Sequence, residues 1–208
     1  MKKGGYMRDA LVLFVITLIS GLLLGGAYQI TKEPIAQADL KAKMDAYGTV
    51  FPDAAGFAEV DGIEEIKASC NEELSSQNFG IVGVDDALMA VDANGAVLGC
   101  VAAAYSDDSY GGRVKLSVGI KADGTLNDIA FLEISDTPGL GLKAKEPEFK
   151  DQYKGKKADS LTVTKSGKPG GSEIDAISGA TITSSAVTNA VNAALYFANH
   201  SIDMEAAK

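Results

Sequence analysis

From Ala10 to Thr31 about 22 residues pass without a charged side chain, and as a helix they would extend on the order of 33 Å, the depth of a bilayer core. A segment in lipid must satisfy its backbone polar groups internally, so this run reads as one N-terminal transmembrane helix. Lys2, Lys3 and Arg8 are packed in front of it. Lys32, Lys41 and Lys43 behind it are interleaved with Glu33, Asp39 and Asp45, at the head of a long domain that can translocate regardless of charge. That density predicts a single-pass protein of the cell membrane, with a cytoplasmic N-terminus and an extracytoplasmic bulk. Gly25, Gly26 and Ala27 resemble a small-residue cleavage site, so a removed signal peptide is the competing reading. The run exceeds the usual signal-peptide apolar length and favours a retained anchor. Gly21, Gly25 and Gly26 offer a small-residue face for another membrane helix, and glycines merely tolerated in lipid account for them equally well.

The remainder of the 208 residues gives room for one domain of ordinary size. A net charge of −9 argues against nucleic acid, whose phosphates are bound through clustered Lys and Arg, and against acidic substrates. Cys70 and Cys100 belong to no C-x-x-C pair, so no metal or iron–sulfur ligand set is assigned. A disulfide between them and two buried free thiols both stand open. The single His200 reads as a solvated residue at a helix end.

Ala36, Leu40, Met44, Tyr47 and Phe51 recur at helical spacing up to the stop signals Gly48 and Pro52, predicting a membrane-proximal helix that continues the span. The acidic stretch from Ala54 to Asn78 reads as a loop plus a short helix around Ile63 to Cys70. Residues 1–31 are thus tail and anchor, 32–78 a helical linker, and 79–208 a folded domain. In that domain Ala87–Val91, Ala96–Ala104, Arg113–Ile120 and Leu126–Ile134 are strand-like. Asn94-Gly95 and Asp123-Gly124 mark two hairpins. Alternation of Val114, Leu116, Val118 and Ile120 with an outward Lys115 predicts a sheet with one covered face, Lys121 lying outward at its end. The fold class is α+β, an antiparallel sheet of hairpins covered by helices.

Farther on, Glu146–Lys156 reads as a short charged helix with Phe149 and Tyr153 on one side, and Leu161–Thr164 as a strand. Gly167–Ser172 reads as a loop. Val187, Ala190, Val191, Ala194, Leu195 and Ala198 form the apolar stripe of a last helix with Thr188, Asn189 and Asn192 as its polar side, and Thr183 or Ser184 supplies its N-cap. Two short stretches invite chemistry. Asp136–Gly141, DTPGLG, fits a type II turn centred on Pro138-Gly139, with glycines that would let backbone approach a ligand closely. Ser178–Ser185, SGATITSS, gathers hydroxyls at a helix start, where a plain cap and a phosphate site are both consistent with local physics.

The run Asp175–Ser184, DAISGATITS, resembles the flavinylation motif of FMN-binding domains, in which the Thr of S-G-A-T is esterified to the FMN phosphate by a flavin transferase. DTPGLG resembles the family's Thr-Pro-Gly-Leu-Gly segment near the flavin. With the anchor, Thr31–Ile35 and Tyr110–Val114 (YGGRV), the resemblance covers most of the chain. It is best with G subunits of Rnf electron-transport complexes; the related C subunits of sodium-pumping NADH:quinone oxidoreductases are usually longer. Members commonly carry His-x-Glu before the Thr-Pro-Gly-Leu-Gly segment, where Ile134, Ser135 and Asp136 stand here, so no histidine role transfers.

The resemblance implies covalent FMN on Thr181, with Asp175 as the motif's leading acid. Ser178, Gly179 and Ala180 would be the neck that admits the transferase, and Thr183 and Ser184 the phosphate-side hydrogen-bond partners. Thr137, Gly139, Leu140 and Gly141 would contact the ring. The function implied is an electron-relay subunit of an ion-translocating oxidoreductase, moving electrons between ferredoxin and NAD with export of sodium ions or protons, beside other membrane subunits and without independent catalysis. A membrane-anchored binding module without redox role, or the FMN domain of an extracellular reductase, are the alternatives.

Overall fold

A computed structural model describes residues 5–202 and 204. Lys2 and Lys3, used above for orientation, lie outside the described residues. The chain divides into two compact units, one ending at Ala42 and the other running from Lys43. Helix α1 spans Gly5–Val50 without interruption, Pro34 included. Its apolar part has a hydropathy of 2.4 and no buried side chains, so this helix is long and apolar enough to cross a membrane. Thr17 and Thr31 donate their hydroxyls to the carbonyls of Leu13 and Ala27, at 3.0 and 2.9 Å, so neither needs an outside partner in lipid.

In the second unit five strands form a meander in sequence order, every pair antiparallel: β1 (Gly56–Glu59), β2 (Val82–Val91), β3 (Val97–Ser109), β4 (Gly112–Lys121) and β5 (Leu126–Ile134). The four expected strands are present, with β2 starting earlier, at Val82, and β3 continuing farther, to Ser109, than their apolar runs suggest. The two turns hold as expected. At the first, the Asp92 carboxylate accepts the N–H groups of Asn94 and Ala96, both at 2.8 Å. Helix α2 (Ile63–Leu74) extends the short helix expected there, and β1 before it was not anticipated, since GFAE carries no clear alternation. Asn71 of α2 grips β2 at its bulge, accepting from the Val84 N–H at 2.8 Å and donating to its carbonyl at 3.1 Å.

The last helix, α4 (Thr181–His200), lies against β3 and β4. Ala102 and Ala104 of the sheet and Ala190 and Ala194 of the helix are fully buried, and such small side chains let helix and strand backbones come close. The expectation of one covered face is corrected. Ser117 and Gly119 are buried as well, because Tyr47 and Val50 at the end of α1, followed by Phe51, pack on the opposite face with Ala90 and Val101. Gly99 and Gly119 make the slot. A Cβ on Gly99 would strike the Ile120 carbonyl and the Phe51 ring, and one on Gly119 would come within 2.8 Å of the Val50 carbonyl oxygen. Lys115 remains half-exposed, paired with Asp85, and Lys121 is exposed.

Between β5 and α4 the chain passes through a 3-10 turn, η1 (Gly141–Lys145), a one-turn helix α3 (Pro147–Lys150) and two short parallel strands, β6 (Thr162–Thr164) and β7 (Glu173–Asp175). Phe149 and Tyr153 are both buried, edge to face at 5.7 Å. This layer covers what was read as the polar side of the last helix. Thr188 and Asn192 are buried, Thr188 bonded to the Tyr153 hydroxyl at 2.8 Å, while Asn192 takes both the N–H and the carbonyl of Leu161, at 2.8 and 2.9 Å. Cys70 and Cys100 are free and buried. His200 is exposed at the helix end, stacked on Tyr196 with centroids 4.3 Å apart.

Asn192→Ala would leave two buried backbone groups of Leu161 unpaired, at a cost of about 2–4 kcal/mol of unfolding free energy. Urea unfolding of the detergent-solubilised chain measures it. A shift in midpoint no larger than that of an exposed surface substitution would show that the pair does not secure this layer.

Candidate functional site

Three segments that end β3, leave β5 and start α4 meet at one edge of the domain. The first is the β3–β4 hairpin tip, where Gly111 lies so close to the backbone of Ser135 and Asp136 that a Cβ there would collide with the Ser135 carbonyl. The second is the turn after β5. The Leu140 N–H reaches the Thr137 carbonyl at 3.1 Å and Gly139 has φ +76°, the type II geometry expected for Pro138-Gly139. The third is Ala176–Ala180, which joins β7 to α4. It is pinned from below by Ser184, whose hydroxyl accepts the Ile177 N–H at 3.0 Å and donates to the Ala180 carbonyl at 2.9 Å.

Asp136 connects all three. One of its oxygens accepts from the Thr183 hydroxyl at 2.6 Å and the Ser109 hydroxyl at 3.1 Å, the other from the Thr137 N–H at 2.6 Å. The carboxylate also fills the space a Cβ on Gly141 would need. Burial pushes its pKa up, but the bonds from Thr183, the Thr137 N–H, Ser109 and the Gly111 N–H outweigh it and hold the carboxyl below its ordinary value. The turn and the helix start also touch directly. Gly179 has φ +78°, and a Cβ there would lie 3.2 Å from a Leu140 methyl, so both conformation and contact call for glycine.

Above this junction is a cavity of about 480 Å³, lined by Tyr110, Asp136, Thr137, Leu140, Gly141, Gly179, Ala180, Thr181, Ile182 and Thr183. The two stretches singled out from the sequence therefore face one space. Thr181 is the first residue of α4, half-exposed at the cavity, and no side chain caps this helix. The expected N-cap role of Thr183 or Ser184 is corrected. Ala180 is the N-cap residue, and both hydroxyls are buried inside the first turn, Thr183 held by Asp136 and Ser184 by Ile177 and Ala180. Those bonds also occupy the two hydroxyls expected to meet a phosphate.

Gly139 sits exposed at the turn apex and does not line the cavity. Ser178 and Asp175 border a neighbouring hollow of about 280 Å³ with Lys143 and Glu146. There Asp175 is part of β7 and accepts the Gly167 N–H at 3.1 Å, shaping the loop before it. Three lining residues were given no role from the sequence: Tyr110, Asp136 and Ile182. The aromatic before a Gly-Gly hairpin tip and the acid directly before Thr-Pro-Gly were the available signals.

A family model for FMN-binding domains matches residues 109–196, which include every residue lining the cavity. The chain is 34% identical over 186 residues to the G subunit of the Na+-translocating ferredoxin:NAD+ oxidoreductase complex of Acetobacterium woodii, covering 88% of this chain and 86% of that one. It is 32% identical over 183 residues to the G subunit of the proton-translocating ferredoxin:NAD+ oxidoreductase complex of Clostridium ljungdahlii, again 88% and 86% of the two chains. A crystal structure of Shewanella oneidensis NqrC is similar with a TM-score of 0.49 and 17% identity, over 75% of this chain and 73% of that one.

Because the folded state favours the ionised Asp136, its stabilisation is complete above about pH 4, the usual unfolded value, and is lost as pH falls through the depressed folded value. Wild type is expected to exceed Asp136→Asn in urea midpoint at pH 7, with the gap closing below about pH 4. A gap that stays constant down to acid pH would show that the carboxylate charge contributes nothing.

Proposed function

Since the chain belongs to the family of G subunits of ion-translocating oxidoreductase complexes, we propose that it is their electron-relay subunit and carries FMN through a phosphoester on Thr181. The observation that carries this reading is the position of Thr181, a half-exposed residue at the start of a 20-residue helix that no side chain caps, on the wall of a cavity of about 480 Å³.

The residues present fit such a group. The first N–H groups of a helix have no intrahelical acceptor, and with the dipole they favour a phosphate at that end. With Thr183 and Ser184 engaged inside the protein, the backbone N–H groups of Thr181, Ile182 and Thr183 take over the phosphate-side role that the sequence suggested for the two hydroxyls. Ser178 and Gly179 are exposed, which suits a neck open to a flavin transferase. Thr137, Leu140 and Gly141 form the wall toward which the ring would extend, and the exposed Gly139 shapes their turn.

Bound FMN supplies a carrier for electrons singly or in pairs. The chain holds it in place, and the ester prevents its loss outside the cell. Electrons would pass between ferredoxin and NAD through the assembled complex, coupled to sodium or proton export. α1 would anchor the protein against other membrane subunits, with the N-terminus cytoplasmic and the FMN domain outside, as the cations before the span favour.

Expressed with a flavin transferase, the protein is expected to run on a denaturing gel as a fluorescent band, with the flavin mass on the tryptic peptide containing Thr181. Thr181→Ala should lose both signals and Thr181→Ser should keep them. A band that persists in the alanine variant would overturn the assignment. For topology, alkaline phosphatase fused after α4 should be active and green fluorescent protein dark; the reverse pattern would place the domain in the cytoplasm.

A further inference from the structure

Among the described residues beyond α1, four large apolar side chains are exposed: Ile81, Tyr110, Leu140 and Ile182. Three of them line the cavity at Thr181, with exposures of 75% for Tyr110, 44% for Leu140 and 57% for Ile182. They come from three separate elements. Tyr110 stands on the β3–β4 hairpin tip, Leu140 on the turn after β5, and Ile182 on the first turn of α4.

The backbones beneath them are fixed even though the side chains are bare. Gly111 is pressed onto Ser135, and Ser109 is bonded to Asp136 at 3.1 Å. Arg113 holds Asp107 with two bonds, at 2.7 and 2.8 Å, and stacks on the Tyr105 ring at 4.0 Å. The hairpin tip thus carries Tyr110 on a rigid base. Leu140 rests on Gly179, and Ile182 belongs to a helix whose next residue is tied to Asp136. Exposed apolar groups on a stiff frame lose little conformational freedom when something flat covers them.

We infer that Tyr110 and Leu140 clamp the flat ring of the ligand, Tyr110 lying against its face, while Ile182 covers the stretch between phosphate and ring. This rests on the reading that a flavin is attached at Thr181. The cavity is polar where the helix N–H groups and hydroxyls collect and apolar at these three side chains, a division that matches a ligand with a phosphate at one end and a planar aromatic system at the other. Its volume falls within the range typical of small-ligand sites, and an aromatic side chain over a planar heterocycle is a favourable, orientation-setting contact. Ile182 follows the attachment residue directly, so it reaches the part of the ligand next to the phosphate, leaving Tyr110 to meet the ring.

The test uses the full chain expressed with its transferase, with fluorescence and visible circular dichroism normalised to flavin found on the Thr181 peptide by mass spectrometry. Tyrosine is an electron donor that quenches an adjacent flavin, so wild type should be dim, and Tyr110→Ala severalfold brighter with most of its induced dichroism lost. Tyr110→Phe should be brighter yet keep the dichroism, since the stack survives without the phenol. Ile182→Ser should weaken the dichroism while Thr181 stays modified. Equal brightness and dichroism in wild type and Tyr110→Ala, with flavin on Thr181 in both, would overturn the clamp and leave the proposed function standing. Slower attachment with an unchanged spectrum would instead make Tyr110 a contact for the transferase, and also overturns it. No flavin on wild-type Thr181 would remove the proposed function and the clamp together.

Discussion

Asp136 sets a negative charge beside the start of α4, and its two oxygens gather donors from Ser109, Thr137 and Thr183, which belong to a hairpin tip, a turn and a helix far apart in sequence. Bonds to an ionised acceptor are shorter and about twice as strong as neutral ones, which offsets the entropy of ordering three loop ends at once. Two glycines make room for the arrangement, Gly111 against the strand backbone and Gly141 against the carboxylate itself. The cavity is what remains above this knot. Its walls are loop residues, but each loop is tethered within one or two residues of the point where it enters the wall.

The knot in turn stands on α4, which serves three neighbours at once. Its alanines press on β3 and β4, Thr188 and Asn192 hold the layer that contains Tyr153 and Leu161, and its first residue opens onto the cavity. The opposite face of the sheet is closed by Tyr47, Val50 and Phe51, seated over Gly99 and Gly119. There both faces are covered and the strands are held from two sides, at the end of β3 and β4 away from the hairpin tip.

Much of this was legible because it is local. Asn94-Gly95 and Asp123-Gly124 announced the hairpins, and the stripe from Val187 to Ala198 announced the last helix. Elements held by distant partners were not. β1 and β7 are short segments with weak patterns of their own, ordered by their neighbours. Thr188 and Asn192 looked like a solvated side because nothing nearby in sequence reveals that Tyr153 and Leu161 will bond them. The helix start was misplaced for the same reason. Thr183 and Ser184 are chemically good caps, yet one answers to Asp136 across the junction and the other to the loop folded beneath it. At the site the stretches were readable, but the roles of Tyr110, Asp136 and Ile182 within them were not, because those roles are defined by where three segments converge.

Cys100 is wholly buried in the sheet, its thiol pushed up to about 12 by loss of water, and Cys70 on α2 is raised in the same direction by burial. Only the thiolate is a competent nucleophile toward disulfides and oxidants, so the sulfur here is chemically silent. A reduced flavin exposed to oxygen can generate peroxide, which climbs the cysteine oxidation ladder wherever a thiolate is within reach. Packing the two thiols into the core gives a redox protein with no exposed cysteine that side reactions can capture, and no thiol with which to cross-link itself to a neighbour even in an oxidising compartment.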